Sequence, residues 1–360
     1  MMRVLVDLLF FTGTRGGMET YVKAVYSRLG GSDIEFIAFA SREFAATDTS
    51  WFPGRVIDSG ISGGNRLSWA VGELVAVNRA ARAHGADVIH SPANFGPARS
   101  RVPVLLTLHD LVSFRHPEWV PARAAGWLLR WMISHAATNA TRIMTDSEAA
   151  RIDIHEILAI PEERIAVVLL AGASGETGSS RSRSADLLFA PGNRMPHKGM
   201  LTLLSALALI PPERRPVLAV TASTASDPLR AQAAQLGVLD NVQFNGWLPQ
   251  AELERLYSEA AIVVLPTRFE GFGLPVLEAM SHGAPVVCSD LPVLHEVGGD
   301  AAVYVEPGSV EGFAAAIEQL LADPDRRQQL TLAGADRARL FSWDRTAVEV
   351  ERQLRSAAGG

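Results

Sequence analysis

The run Ala261-Ile262-Val263-Val264-Leu265-Pro266-Thr267-Arg268-Phe269-Glu270-Gly271-Phe272-Gly273-Leu274-Pro275-Val276-Leu277-Glu278 decides the fold. Its first six residues are a short continuous apolar stretch, the pattern of a strand buried on both faces of a parallel sheet. Pro275 suits the first position of a helix, where a missing N–H costs nothing. The expected helix runs through Met280 and stops at Gly283, and Pro285 opens the next strand. The order is therefore strand, glycine loop, helix, strand. Gly271 and Gly273 allow backbone N–H groups to approach a ligand, and the helix start behind them favours an anion. Glu270 in the loop and Glu278 in the first helical turn are expected to border one crevice. A diphosphate on the N–H groups, with hydroxyl-bearing rings held by the two carboxylates, would satisfy every part. A plain Rossmann-type turn, with Glu placed to suit the helix dipole, is the alternative.

The Glu-x7-Glu spacing inside E-G-F-G-L-P-x-L-E-A-M resembles the signature of retaining glycosyltransferases of the GT-B fold, family 4. The resemblance implies that Glu270 contacts a donor sugar and Glu278 a ribose. It places the diphosphate on the loop of Gly271, Phe272, Gly273 and Leu274. It also implies an α/β architecture of two Rossmann-like, doubly wound domains facing a central cleft.

Length and composition agree with that class. A chain of 360 residues predicts two domains. With 48% hydrophobic and 20% charged residues it has the apolar content for two cores. The net charge of −6 argues against nucleic acid as the main partner. A single cysteine, Cys288, excludes an intramolecular disulfide and fits a reducing compartment. It reads as a small buried thiol on a strand. Met1-Met2-Arg3-Val4-Leu5-Val6-Asp7 is charged too early for the apolar region of a signal peptide. No run of about 18 apolar residues is present to span a membrane. The expected location is the cytoplasm, with the inner face of the membrane as a place of peripheral contact.

The first half opens with a strand over 3–9, a loop Gly13-Thr14-Arg15-Gly16-Gly17-Met18-Glu19, and a helix from about Tyr21 to Leu29. The loop has neither G-x-G-x-x-G spacing nor a P-loop Lys, so alone it is equally a tight turn or an anion site. Gly16-Gly17-Met18-Glu19 resembles the family's G-G-x-E loop, which faces diphosphate and acceptor. Strand and helix alternate onward through 34–38, a helix near Trp69 to His84, and 87–90. Val102 to Leu108 is the next strand, and it delivers His109-Asp110 at its carboxyl end, where open α/β sheets bind ligands. Without the family, Asp110 capping the following segment explains the pair. The family has a matching His-Asp whose His lies beside the donor sugar, which implies a site role for His109. Trp119 to Ala140 predicts a long helix, interrupted by Arg123 and Arg130, with Trp127, Leu128 and Trp131 near one face. The favoured reading is a core helix. The alternative is a helix resting on a membrane surface beside a lipid-linked acceptor. Thr145-Asp146-Ser147-Glu148 reads as a Thr-x-x-Glu capping box.

Residues 171–184 are polar and Gly/Ser-rich, the composition of a flexible connector. The expected division is 1–172 for the acceptor domain, 173–185 for the linker and 186–340 for the donor domain. A final helix over 341–360 is expected to return to the first domain. The family's N-G-V-D near the boundary is missing. The second half restarts with a strand over 186–190, then Pro191-Gly192-Asn193-Arg194-Met195-Pro196-His197-Lys198-Gly199 and a helix over 200–210. A Lys at a helix entrance can neutralise a leaving diphosphate. Ordinary surface Arg and Lys fit the loop equally well without context. Lys198 matches the family's diphosphate Lys, while Arg194 matches its Arg only loosely. Asn241 to Trp247 resembles V-x-F-x-G, whose loop lies against the base in the family. Asp290-Leu291-Pro292-Val293 to Asp300 resembles wording found in bacterial mannosyl- and rhamnosyltransferases. Asp323-Pro324-Asp325 imitates a metal-binding D-x-D, but Asp capping and Pro starting a helix explain it. No His, Cys and carboxylate cluster has metal-ligand spacing, so no metal is expected.

The resemblance implies transfer of a hexose, mannose first, from a nucleotide diphosphate sugar to a hydroxyl of a glycan or lipid-linked acceptor. GDP-mannose is the favoured co-substrate, and the anomeric configuration would be retained. His109, Glu270 and Lys198 would be catalytic. Gly16, Gly17, Arg194, Lys198, Gly271 to Leu274 and Glu278 would hold the donor. Two rivals are a nucleotide-sugar epimerase of the same fold and a sugar-binding protein without chemistry. The Glu-x7-Glu wording argues against the first, and the early charge at the start of the chain weakens the second.

Overall fold

The computed structural model describes residues 1–13, 16–120, 123–172 and 183–359, leaving aside the side chains of residues 66, 67, 123 and 124. Arg123's side chain and residues 173–182 of the expected connector therefore lie outside the described residues. The apolar runs fold as strands whose side chains are buried on both faces. The run Ile262–Leu265 is buried at every position, as are Val286–Ser289 and Val104–Thr107. Parallel pairing accounts for this, because the crossover helices cover both faces of the sheet.

The chain divides into two units, Met1–Leu170 with Ser342–Gly360, and Ala171–Phe341. The strands of the first are β1 (Arg3–Leu8), β2 (Glu35–Ala40), β3 (Gly54–Asp58), β4 (Val88–Ser91), β5 (Val104–Thr107), β6 (Arg142–Thr145) and β7 (Ile165–Val167). They lie in the order β3-β2-β1-β4-β5-β6-β7. The second unit holds β8 (Leu187–Ala190), β9 (Val217–Val220), β10 (Val242–Phe244), β11 (Ile262–Leu265), β12 (Val286–Ser289) and β13 (Ala302–Val305). Their order is β10-β9-β8-β11-β12-β13. Every described pairing is parallel: Val4 faces Phe36 and Val88, and Val263 faces Phe189 and Val286. In each unit the order reverses beside the first strand, between β1 and β4 and between β8 and β11. Such switch points open a crevice at the carboxyl ends of the strands.

Each sheet has its own core. In the first unit Leu5, Ile89, Leu106, Ile133 and Ile143 pack together. In the second, Leu188, Leu203, Val264, Phe313 and Ile317 do so. The last helix, Trp343–Ala358, buries Trp343, Ala347, Val350, Leu354 and Ala357. It packs on the first unit, where Thr346 Oγ1 donates to the Leu169 carbonyl at 2.7 Å and Arg142 Nε to Gln353 Oε1 at 2.9 Å.

Several local expectations are corrected. The helix expected from Tyr21 begins at Gly17 and ends at Tyr26. The stretch expected as one helix near 69–84 is α-helical over Arg66–Val71 and Val77–Ala83, with a π-helical segment Gly72–Ala76 between them. The helix expected over 119–140 is Arg123–Asn139, because Pro117–Trp119 forms a separate 3-10 turn. Met132, Ile133, Ala136 and Ala137 make its buried face, while Trp127 and Leu128 point outward, 63% and 39% exposed. The cap before Glu148 is Ser147, whose side chain accepts from Ala150 N; Thr145 ends β6 instead. At the other expected cap, Asp323 accepts from Arg326 N at 2.8 Å and starts the helix Pro324–Ala338. Cys288 is fully buried, and burial pushes its thiol pKa far above the usual range.

Candidate active site

In the second unit the two loops beside the switch point are stitched together by the backbone. Pro196–Lys198 forms a single 3-10 turn, and Gly199 follows in the left-handed region at φ 66°. A Cβ on Gly199 would lie 1.9 Å from the Pro266 carbonyl oxygen, so only glycine lets this turn lie against the end of β11. The His197 carbonyl then accepts from Arg268 N at 2.7 Å and from Thr267 Oγ1 at 2.9 Å. This stitching brings Lys198 Nζ to 2.6 Å from Glu270 Oε1, with side chains only 20% and 10% exposed. Two residues 72 positions apart thus form one ion pair at the carboxyl ends of β8 and β11.

The glycine loop enters the helix Leu274–Ser281 through Gly273, at φ 104° and with no side-chain cap. A Cβ there would meet Leu294 Cδ2 at 2.6 Å. The helix starts one residue earlier than Pro275 predicts, so Glu278 is its fifth residue and lies beyond the first turn. Phe272 is 4% exposed and packs edge-on against Phe341, which leaves only its backbone for a ligand. Glu278 is part-buried and accepts a 2.6 Å hydrogen bond from the Tyr257 hydroxyl. Burial raises its pKa, and the Tyr257 hydrogen bond opposes the rise.

Arg194 forms a pair that its loose match to the family does not indicate. Its Nε and Nη2 both lie 2.9 Å from Asp227 Oδ2, and Asp227 is almost fully buried. Asp227 also accepts from Ser223 Oγ at 2.6 Å and from Leu229 N at 3.0 Å, which caps the helix Pro228–Gln235. Burial raises the Asp227 pKa, but Arg194, Ser223 and Leu229 outweigh it and hold the carboxyl below its usual value. Asp227, Ser223 and Tyr257 are site residues that sequence reasoning missed. Only Asp227 carried a signal, the Asp-Pro start of a helix.

In the first unit, Gly16 sits at φ 61° ahead of Gly17, the first helical residue. Glu19 folds back so that its carboxylate accepts from Thr12 N at 2.6 Å and Gly13 N at 3.0 Å. The same helix points Tyr21 edge-on at His109, ring centroids 5.3 Å apart. His109 is buried, with Nδ1 2.6 Å from Asp146 Oδ2 and Nε2 2.9 Å from the Pro92 carbonyl. Its backbone N–H donates to Asn94 Oδ1 at 2.6 Å. A carbonyl and a carboxylate both accept, so these contacts favour a ring carrying protons on both nitrogens. Burial lowers the His109 pKa, but Asp146, the Pro92 carbonyl and Asp110 outweigh it and the net shift is upward. Asp146 was hidden in the segment read as a capping box. Asp110 Oδ1 accepts from Val112 N at 3.0 Å, a local turn of the kind expected for a polar strand end.

The structure therefore joins Lys198 with Glu270, Arg194 with Asp227, and Glu278 with Tyr257, as separate contacts within the second unit. In the first, the helix that begins at Gly17 brings Tyr21 against His109. Among the described residues, no group of three or more His, Cys, Asp or Glu could hold a metal ion. Nor is any described helix long and apolar enough to cross a membrane.

Known proteins resemble this chain in sequence and in fold. Residues 180–337 match the family described as Glycosyl transferases group 1, and residues 15–169 match Glycosyltransferase Family 4. O-antigen chain mannosyltransferase B of Escherichia coli is 31% identical over 272 residues, 71% of each chain. MMP alpha-(1->4)-mannosyltransferase of Mycolicibacterium hassiacum is 30% identical, across 73% of this chain and 69% of its own. Among solved structures, sucrose-phosphate synthase from Thermosynechococcus elongatus superposes with a TM-score of 0.78 at 18% identity, covering 99% of both chains. HepE from Anabaena in complex with UDP-glucose gives 0.74 at 19% identity, covering 99% of this chain and 100% of its own. This chain belongs to the family-4 glycosyltransferases, and its two doubly wound units have the GT-B fold.

Proposed function

We propose that the chain is a retaining hexosyltransferase that moves mannose from GDP-mannose to a hydroxyl of a glycan or lipid-linked acceptor. The product would belong to a cell-surface polysaccharide or glycoconjugate. The supporting observation is the Lys198–Glu270 pair at the switch point, 2.6 Å apart and largely buried. In the reaction the bond between the anomeric carbon and the leaving phosphate oxygen breaks. The acceptor oxygen bonds to the same face of that carbon, and its proton passes to the departing phosphate. Charge then grows on the diphosphate, where Lys198 and the N–H groups of Gly271 to Leu274 stabilise it. Glu270 holds sugar hydroxyls and Glu278 the ribose, and His109 is assigned its catalytic role from the family's matching His-Asp. Arg194, held in place by Asp227, is the donor-loop Arg of this reading. No metal ion takes part in this mechanism, in which Lys198 and the loop N–H groups are the donors to the diphosphate. Two of its relatives, O-antigen chain mannosyltransferase B and MMP alpha-(1->4)-mannosyltransferase, support mannose as the sugar.

The test is thermal unfolding of the purified protein with GDP, UDP, ADP and dTDP, then with the sugars of whichever binds. A ligand of the native state at a hundred times its Kd stabilises by about 2.7 kcal/mol, enough to raise the midpoint visibly. Selective stabilisation by GDP and GDP-mannose is expected. Preference for UDP would replace the mannose reading with a UDP-sugar donor, as bound to HepE. A folded protein stabilised by none of them would overturn the donor site.

A further inference from the structure

We propose that Tyr257 is the positioning residue of the ribose carboxylate, and so a determinant of selection for nucleotides with an intact ribose diol. The inference rests on the reading of Glu278 as the ribose contact and adds the group that aims it. Tyr257 closes the helix-to-strand approach to β11, in the helix Gln250–Glu259, 21 residues before Glu278. Its ring is fully buried and clamped on two sides. Phe189 of β8 meets it edge-on at 4.9 Å between centroids, and His282 stacks almost parallel at 5.7 Å and 7°. A ring held this way puts its hydroxyl in one place, 2.6 Å from Glu278 Oε2.

That contact matters because Glu278 has a conflict to resolve. Burial pushes its proton affinity up, and Glu254 pushes in the same direction, whereas Tyr257 pulls it down. A ribose diol offers two O–H donors, so its partner must be an ionised acceptor with a fixed plane. The Tyr257 hydroxyl supplies both properties: it donates to one oxygen, favours the charged form, and leaves the second oxygen for the diol. Phenylalanine at 257 would keep the ring between Phe189 and His282 and delete only the donor.

The experiment measures binding of the tightest nucleoside diphosphate and of its 2′,3′-dideoxy form to wild type, Tyr257→Phe and Glu278→Gln, from about pH 5 to 8. Wild type is expected to prefer the ribose form by about tenfold or more, the scale of one or two hydrogen bonds to a charged group. In Tyr257→Phe the preference should fall to within about threefold, with dideoxy binding unchanged. The pH at which its ribose preference is lost should also move upward, because Glu278 then takes a proton more readily. A change of packing alone would weaken both nucleotides equally and leave that pH unmoved. Retention of the wild-type preference and pH profile in a folded Tyr257→Phe variant would overturn the role of Tyr257 alone. Unchanged preference in Glu278→Gln would overturn the ribose contact and the inference with it. No binding by wild type would overturn the donor site as a whole.

Discussion

At the scale of the residue, the site is organised by pairs that sequence separation conceals. Lys198 and Glu270 can each be picked out from their loops, but their contact depends on Gly199, whose missing side chain lets one loop lie on the other. Lys198→Ala and Glu270→Ala are each expected to lower kcat for sugar transfer by about a hundred- to a thousandfold, the usual loss for one group that stabilises the transition state. Each also leaves its partner charged and little exposed, so the double variant should lose much less than the two losses combined. Melting temperatures within a few degrees of wild type would show that the fold survives. Near-normal turnover in either single variant would remove that residue from the catalytic machinery. The roles of Glu270, Lys198 and His109 could be suggested from motifs because motifs record residues that face a ligand. Asp146, Asp227 and Tyr257 face candidate site residues instead, namely His109, Arg194 and Glu278. They sit 37, 33 and 21 positions from their partners, in strand ends and helices whose local pattern reads as capping or core.

At the scale of the element, strands were the most legible part, since near-continuous apolar runs bounded by Gly and Pro have few other uses in a chain of this kind. β3 was not legible, with three of its five residues exposed and a glycine at its start. The π-helical segment Gly72–Ala76 is invisible to a periodicity argument, and it has a chemical consequence. It places Glu73 inside the first unit, hydrogen-bonded by Trp69 Nε1 at 2.7 Å and side by side with Asp7 of β1. Burial raises the pKa of both carboxyls, and for Glu73 the Asp7 charge raises it further. Folding therefore takes up a proton. The sign follows directly: the pair's contribution is fully present below the ordinary carboxylate range, near pH 4, and is lost as pH rises through the raised Glu73 value. Glu73→Gln keeps the shape without the ionisation. Its unfolding midpoint in denaturant should fall less than that of wild type between about pH 5 and 8. Parallel pH profiles for the two proteins would rule out a shared proton at this site.

At the scale of the whole molecule, the repeated strand order places both halves of the proposed chemistry at carboxyl ends, His109 after β5 and Lys198 and Glu270 after β8 and β11. The sequence divides near its middle, yet the last helix belongs to the first unit. Amphipathicity foretells that Trp343–Ala358 must cover something, but it was the family resemblance, not the pattern, that named the first domain as its partner. Its buried face includes Val350 and Leu354, both 0% exposed. Fully burying an aliphatic side chain is worth about 1.5–3 kcal/mol, so two of them contribute about 3–6 kcal/mol, comparable with the low end of the net stability of about 5–15 kcal/mol of a typical domain. Arg28–Asp344 and Arg355–Asp33 add ion pairs at the rim, where exposed Asp side chains make their contribution small. A chain ending at Phe341 should therefore lose amide-exchange protection in β4, β5 and β6, the strands that helix packs against, while β8, β11 and β12 keep theirs. The same shortened chain should still bind the nucleoside diphosphate, since Lys198, Glu270, Glu278 and Tyr257 all belong to the second unit. Hydrogen exchange followed by mass spectrometry reads both halves in one sample. Equal protection of the first unit with and without the helix would mean that its apolar face contributes little to that unit's stability. Loss of protection in both units together would mean instead that the chain unfolds as one cooperative body.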